Sequence, residues 1–137
     1  MIGCGCEVCT STDKKDNRLR SSILIESATT SLVIDTTPDF RYQMLRADVK
    51  KLDAVLFTHP HKDHIAGLDD VRAFNYFQQK PMELYANSLT EEAIKREFAY
   101  AFSDKKYPGL PVLCFCGVVG RSFVVADIPV IPTLLYQ

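Results

Sequence analysis

Short β-branched runs alternate with amphipathic stretches along the chain. Ser22-Ile23-Leu24-Ile25-Glu26 and Ser31-Leu32-Val33-Ile34-Asp35 flank Ser27-Ala28-Thr29-Thr30, which predicts a hairpin with a four-residue loop. Pro38 and Asp39 mark a helix start, and the spacing turns Phe40 and Met44 inward through Leu45. Ala54-Val55-Leu56-Phe57 reads as the next strand. Gly67-Leu68-Asp69-Asp70 opens a helix with acids in its favourable first turn and Val71, Phe74 and Phe77 on its inner face. Met82-Glu83-Leu84-Tyr85-Ala86 is a short strand. Ser88-Leu89-Thr90-Glu91 has the capping-box form and starts a helix carrying Ile94, Phe98, Ala101 and Phe102 at helical spacing. On its wet side Glu91 and Glu92 stand four residues before Lys95 and Arg96. From Lys105 to Gly109 the chain reads as loop, and thereafter Ser122–Ala126 and Val130-Ile131 are strand-like, with Pro129 and Pro132 confining the last to an edge. The order predicts an α/β fold with helices covering a sheet.

Candidate chemistry concentrates in one place. All three histidines fall inside Thr58-His59-Pro60-His61-Lys62-Asp63-His64, directly behind the Ala54–Phe57 run. One histidine in a loop is ordinarily just solvated; the whole histidine content beside an aspartate argues for metal. Imidazole nitrogens and a carboxylate suit zinc, and manganese or iron less well. Four donor groups exceed what one loop usually spends on one ion, so His59, His61, Asp63 and His64 could serve two adjacent ions, with further ligands from elsewhere. Asp35, at a strand end, reads equally well as a turn cap.

At 137 residues the chain is about one domain, and its formal charge of −1 provides no basic field for nucleic acid, although local patches stay open. No apolar run approaches the ~20 residues that span a bilayer. Met1-Ile2-Gly3-Cys4 has no basic or apolar leader, so cytoplasm is the default expectation. Five cysteines do not make a complete disulfide framework. Cys4, Cys6 and Cys9 form C-x-C-x-x-C, better explained in a reducing compartment by metal than by disulfides, against the alternative of a loose terminus with incidental thiols. Cys114 or Cys116 could add a fourth ligand, or be a buried thiol of an apolar run.

Thr58-His59-Pro60-His61-Lys62-Asp63-His64-Ile65-Ala66-Gly67 resembles the T-H-x-H-x-D-H-x-x-G signature of metallo-β-lactamase-fold hydrolases. The resemblance implies a partial αββα sandwich, the N-terminal half of a single domain over residues 1–137. It implies that His59 and His61 hold one ion, that Asp63 and His64 hold a second, and that a hydroxide bridging them attacks phosphorus or a carbonyl carbon. Asp35 matches the aspartate that braces amides and ligands near the metals without binding them, and Asp63 acts with the metal-bound water. Gly3-Cys4-Gly5-Cys6-Glu7-Val8-Cys9 and Asp35-Thr36-Thr37-Pro38-Asp39-Phe40-Arg41 are most similar to the branch with the cyclic-phosphoribosyl phosphodiesterases, where the cysteines hold a structural zinc.

The implied activity is a metal-dependent phosphodiesterase acting on a small cyclic phosphate ester, with two catalytic zincs and one structural zinc, and manganese as the alternative metal. The family's later histidines and bridging aspartate have no counterpart, since no histidine follows His64. A non-catalytic zinc-binding piece, a half domain needing a partner chain such as a homodimer mate, and a thiolester or tRNA 3′-end hydrolase are therefore the alternatives.

Overall fold

The computed structural model describes residues 2–104, 107–118 and 122–133. Lys105 and Lys106, the expected start of a loop, lie outside them.

After a one-turn helix α1 (Glu7–Thr10) come strands β1 (Ile23–Glu26) and β2 (Ser31–Ile34), then helix α2 (Phe40–Arg46) and strand β3 (Ala54–Leu56). A short helix α3 (Lys62–Ile65) and a 3-10 turn (Leu68–Val71) lead into α4 (Arg72–Gln78). Strand β4 (Met82–Ala86), helix α5 (Ser88–Glu97), a 3-10 turn (Ala99–Phe102) and strands β5 (Leu113–Gly117), β6 (Phe123–Val125) and β7 (Ile128–Val130) complete the order.

Five strands form one sheet in the order β1-β2-β3-β4-β5. β1 and β2 are the expected antiparallel hairpin, closed by the Ser27 N–H on Thr30 O at 2.8 Å. β2, β3, β4 and β5 run parallel, with Val33 beside Val55, Val55 beside Leu84 and Leu84 beside Phe115. Central parallel strands are buried on both faces, which is why β2 and β3 read as continuous apolar runs. One face carries Val33, Val55 and Leu84 into a core with Phe40, Met44, Leu68, Val71 and Ile94 from the helices. The other carries Leu32 and Ala54 against Val125 of the β6-β7 hairpin, and Phe123 stacks on Tyr85 at 5.1 Å. Helices on one face and the start of a second sheet on the other make a mixed α/β half-sandwich.

Several expectations need correction. Phe77 is 77% exposed: α4 turns Phe74 and Asn75 inward and leaves Tyr76 and Phe77 outside. Asn87, not Ser88, caps α5, accepting the Thr90 N–H at 2.9 Å, while Glu91 pairs along the helix with Lys95. That helix ends at Glu97 and, past Phe98, tightens into a 3-10 turn, so Ala101 and Phe102 reach the core without one continuous helix. Residues 113–117, expected as loop, form edge strand β5. Their signal is weak because an edge strand alternates: Phe115 stacks on Phe102 at 5.8 Å while Cys114 is exposed. Pro129 is tolerated inside β7 because that hairpin is only two strands wide.

Asp53 clamps the entry to the two central strands. Its carboxylate accepts the Ser31 N–H at 3.0 Å and ion pairs from Lys51 and Lys80, both at 2.9 Å. Burial alone would raise its pKa, but the Ser31 amide and the two ammonium groups outweigh it and hold the carboxyl below the usual value. A depressed carboxyl pKa contributes stability above the unfolded value that is lost as pH falls through the folded one. Asp53→Asn should therefore cost about 1–2 kcal/mol at pH 7, and the deficit against the unsubstituted protein should shrink below about pH 4. Urea unfolding at pH 7 and pH 3 checks this.

Among the described residues no helix is long and apolar enough to cross a membrane.

Candidate metal centre

Because β2 and β3 are parallel neighbours, their carboxyl ends open at one edge of the sheet, the place where α/β folds bind ligands. Asp35 follows β2 and the segment Thr58–His64 follows β3, so register alone brings them together. The backbone of Asp35 donates to Leu56 O at 2.8 Å and takes a left-handed conformation, φ 64°. Such a conformation in a buried residue other than glycine costs on the order of 1–2 kcal/mol and recurs at functional sites.

The turn aims the Asp35 carboxylate at the histidine loop. Oδ1 accepts the Thr58 N–H at 2.9 Å, and Oδ2 accepts the Thr58 hydroxyl at 2.7 Å. Oδ2 also lies 2.8 Å from Nδ1 of His64. An ionised carboxylate only accepts, so His64 carries its proton on Nδ1. The Thr58 hydroxyl already donates its one hydrogen bond to Asp35, so at 2.9 Å it accepts from Nδ1 of His59. Both rings thus keep Nε2 as the lone-pair nitrogen. Sequence reading passed over Thr58; its position in the signature, between strand and first histidine, was the available clue.

The rings of His59 and His64 stand 4.0 Å apart and those of His59 and His61 4.6 Å. The pKa of His59 is held below the usual imidazole value, first by desolvation and then by His64 and His61, which favours the neutral form a metal requires. His61 precedes α3 with extended backbone and its side chain caps nothing; Asp63 and His64 occupy the first turn, with Asp63 Oδ2 3.6 Å from His64 Nε2. Lys62 points away to Glu97 of α5, tying the loop to that helix. Three imidazoles and a carboxylate, two rings with fixed tautomers, form a donor set that could hold zinc.

A second candidate site lies at the N-terminus. The sulfur atoms of Cys4, Cys6 and Cys9 are within 4.8 Å of one another, a closer group than the histidine loop makes. Cys6 opens α1 and Cys9 sits one turn on, so the C-x-x-C spacing folds the thiols together. The Cys9 amide, with the thiols of Cys4 and Cys9, lowers the Cys6 pKa to about 7. Cys114 and Cys116, the expected sources of a fourth ligand, lie on β5 and are not part of this group.

Residues 30–133 match the family model of the beta-lactamase superfamily domain. A crystal structure of a diphosphatase of the PhnP family superposes with a TM-score of 0.77 at 40% identity, covering 90% of this chain and 47% of that one. Zn(2+)-bound PqqB from Methylobacterium extorquens superposes at 0.67 with 21% identity, over 91% of this chain and 44% of that one, and shares the fold. An octanoyltransferase of Porphyromonas gingivalis (strain ATCC BAA-308 / W83) is 42% identical over 133 residues, 96% of this chain but 27% of that protein. The chain thus spans about half the length of the two solved structures and about a quarter of the curated relative. The matched family model, the half-sandwich and the histidine loop at its sheet edge agree: this chain belongs to the metallo-β-lactamase-fold superfamily.

Proposed function

We propose that the protein is a dinuclear metal-dependent hydrolase of phosphoric esters or anhydrides and that this chain supplies half of its metal centre. The observation that carries the reading is the hydrogen-bond network of Asp35, Thr58, His59 and His64, which fixes two imidazole tautomers before any ion arrives. In this reading His59 and His61 hold one ion, Asp63 and His64 the second, and Cys4, Cys6 and Cys9 a separate structural zinc.

Zinc is favoured by the donor set, with manganese as the alternative; bound there, it lowers the pKa of water and offsets phosphate charge. Asp35 and Thr58 hold the rings, while Asp63, with its carboxylate half exposed, can take a proton from the attacking water. Each ion draws two side chains from this chain, fewer than the three protein ligands usual for catalytic zinc, so the remainder comes from a further segment or another chain. Clustered thiols fit a reducing cytoplasm.

Phosphorus is favoured over carbon by the 40% identity to a diphosphatase, with a small cyclic phosphate ester as the narrower substrate. The relative named for octanoyl transfer keeps an acyl thioester as the second reading, weakened because this chain matches only 27% of it. The test is zinc-loaded full-length protein with a ribose cyclic phosphate, a nucleoside diphosphate and an octanoyl thioester side by side. Turnover of either phosphate, reduced at least ~100-fold in His59→Ala, is expected. Turnover of the thioester alone would overturn the reading. Zinc uptake with no turnover of any probe would instead favour a non-catalytic zinc-binding role.

A further inference from the structure

The segment that leads into β1 reaches the metal edge of the sheet from another side. Because β1 and β2 are antiparallel, with Ile23 beside Ile34, residues 18–22 arrive at the edge where Asp35 and Thr58 stand. The Ser22 hydroxyl ties them there, shared between Ile34 O at 3.1 Å and Asp35 O at 2.9 Å. Two residues earlier, the main chain of Arg20 is held on both sides. Its N–H donates to Asp39 Oδ2 at 2.9 Å, and its carbonyl accepts from Gln43 Nε2 at 2.7 Å. Gln43 and Thr37 are buried, and the Thr37 hydroxyl donates to Gln43 Oε1 at 3.0 Å. A buried amide and hydroxyl need partners, and here their pairing fixes the backbone of an exposed residue.

The Arg20 guanidinium itself is left over: it is exposed and makes no ion pair among the described residues. The cations nearest the histidine loop in sequence are engaged, Lys62 by Glu97 and Arg72 by Asp69 at 3.0 Å. Arg18 is unpaired too, but no hydrogen bond fixes its main chain, which singles out Arg20. Resting on the hydrolase reading above, we propose that Arg20 anchors a second phosphate group of the substrate, beside the one that reacts at the loop. A guanidinium matches phosphate oxygens with two parallel hydrogen bonds, and a backbone fixed in advance lowers the cost of offering them. The preferred substrate class is then a diphosphate, or a cyclic phosphate carrying a further phosphate group, ahead of a cyclic ester with none.

Calorimetric titration of inorganic pyrophosphate and inorganic phosphate into zinc-loaded full-length protein tests this in Arg20→Ala and Arg20→Lys. Arg46→Ala, at the far end of α2, is the control, with circular dichroism and zinc content verifying every variant. Pyrophosphate binding weakened at least ~30-fold in Arg20→Ala and partly restored in Arg20→Lys, with phosphate binding within ~3-fold, is the expected result. With a nucleoside diphosphate, Arg20→Ala should raise KM and leave kcat within ~3-fold, because the anchor lies away from the reacting phosphorus. Pyrophosphate binding that is absent from the unsubstituted protein, unchanged in Arg20→Ala, or weakened as much by Arg46→Ala overturns the proposal. So does equal weakening of both anions. Selective loss of pyrophosphate in Arg20→Ala, in a protein that turns over no phosphate substrate, would uphold the Arg20 site while overturning the hydrolase reading.

Discussion

Gly67→Ala should destabilise the protein by ~3 kcal/mol or more, lowering the thermal midpoint by about 10 °C in a chain of this size. Gly67 has φ −89°, which any residue adopts, so conformational freedom is not what it provides. Space is. An added Cβ would sit 2.2 Å from the carbonyl oxygen of Thr37 and 2.6 Å from Cβ of Phe40. The first is backbone and the second belongs to a fully buried ring, so neither can step aside cheaply. The close approach also carries a hydrogen bond, Gly67 N–H to Thr36 O at 2.9 Å, which docks the end of the histidine loop on the turn after Asp35. The alanine variant should therefore lose metal affinity along with stability. Calorimetry and zinc titration on the same preparation check both; a variant within 1 kcal/mol of the unsubstituted protein would contradict the packing reading.

Asp35→Asn separates charge from shape. Asparagine tolerates the left-handed backbone at least as well as aspartate, so the turn should persist. Its amide can still accept from Thr58, but it presents an NH₂ group where His64 Nδ1–H needs an acceptor. The ring then relaxes toward the other tautomer, with its proton on Nε2, the nitrogen wanted for metal. A 10–100-fold loss of zinc affinity at the loop is expected, with unfolding free energy changed by less than ~1.5 kcal/mol. Nitrogen-resolved NMR of the His64 ring reads the tautomer directly. Unchanged affinity with the Nδ1–H tautomer retained would show that Asp35 is a turn cap and no more.

The central part of this fold was legible because its signals are local. The hairpin, the Phe40–Met44 face and the Ala54–Phe57 run follow from apolar spacing over a few residues, and the histidine loop needs no tertiary knowledge to be noticed. Strand β5 was not legible, since an edge strand half-buries Leu113 and Phe115 on one side while Cys114 is exposed and Cys116 is only partly covered on the other. Phe77 was misplaced because helical periodicity identifies candidate inner positions without saying how much of the face a neighbouring helix covers. The Thr58 bridge between Asp35 and His59 depends on parallel register between β2 and β3, which no sequence window contains.

Zinc content of the dialysed full-length protein, measured without substitution, in Cys4→Ser/Cys6→Ser/Cys9→Ser and in that triple variant carrying His59→Ala, tests the metal centre most directly. At least one zinc equivalent should remain after the cysteines are removed and fall away when His59 is also replaced. If all bound zinc leaves with the three thiols, the loop from His59 to His64 is not a metal site.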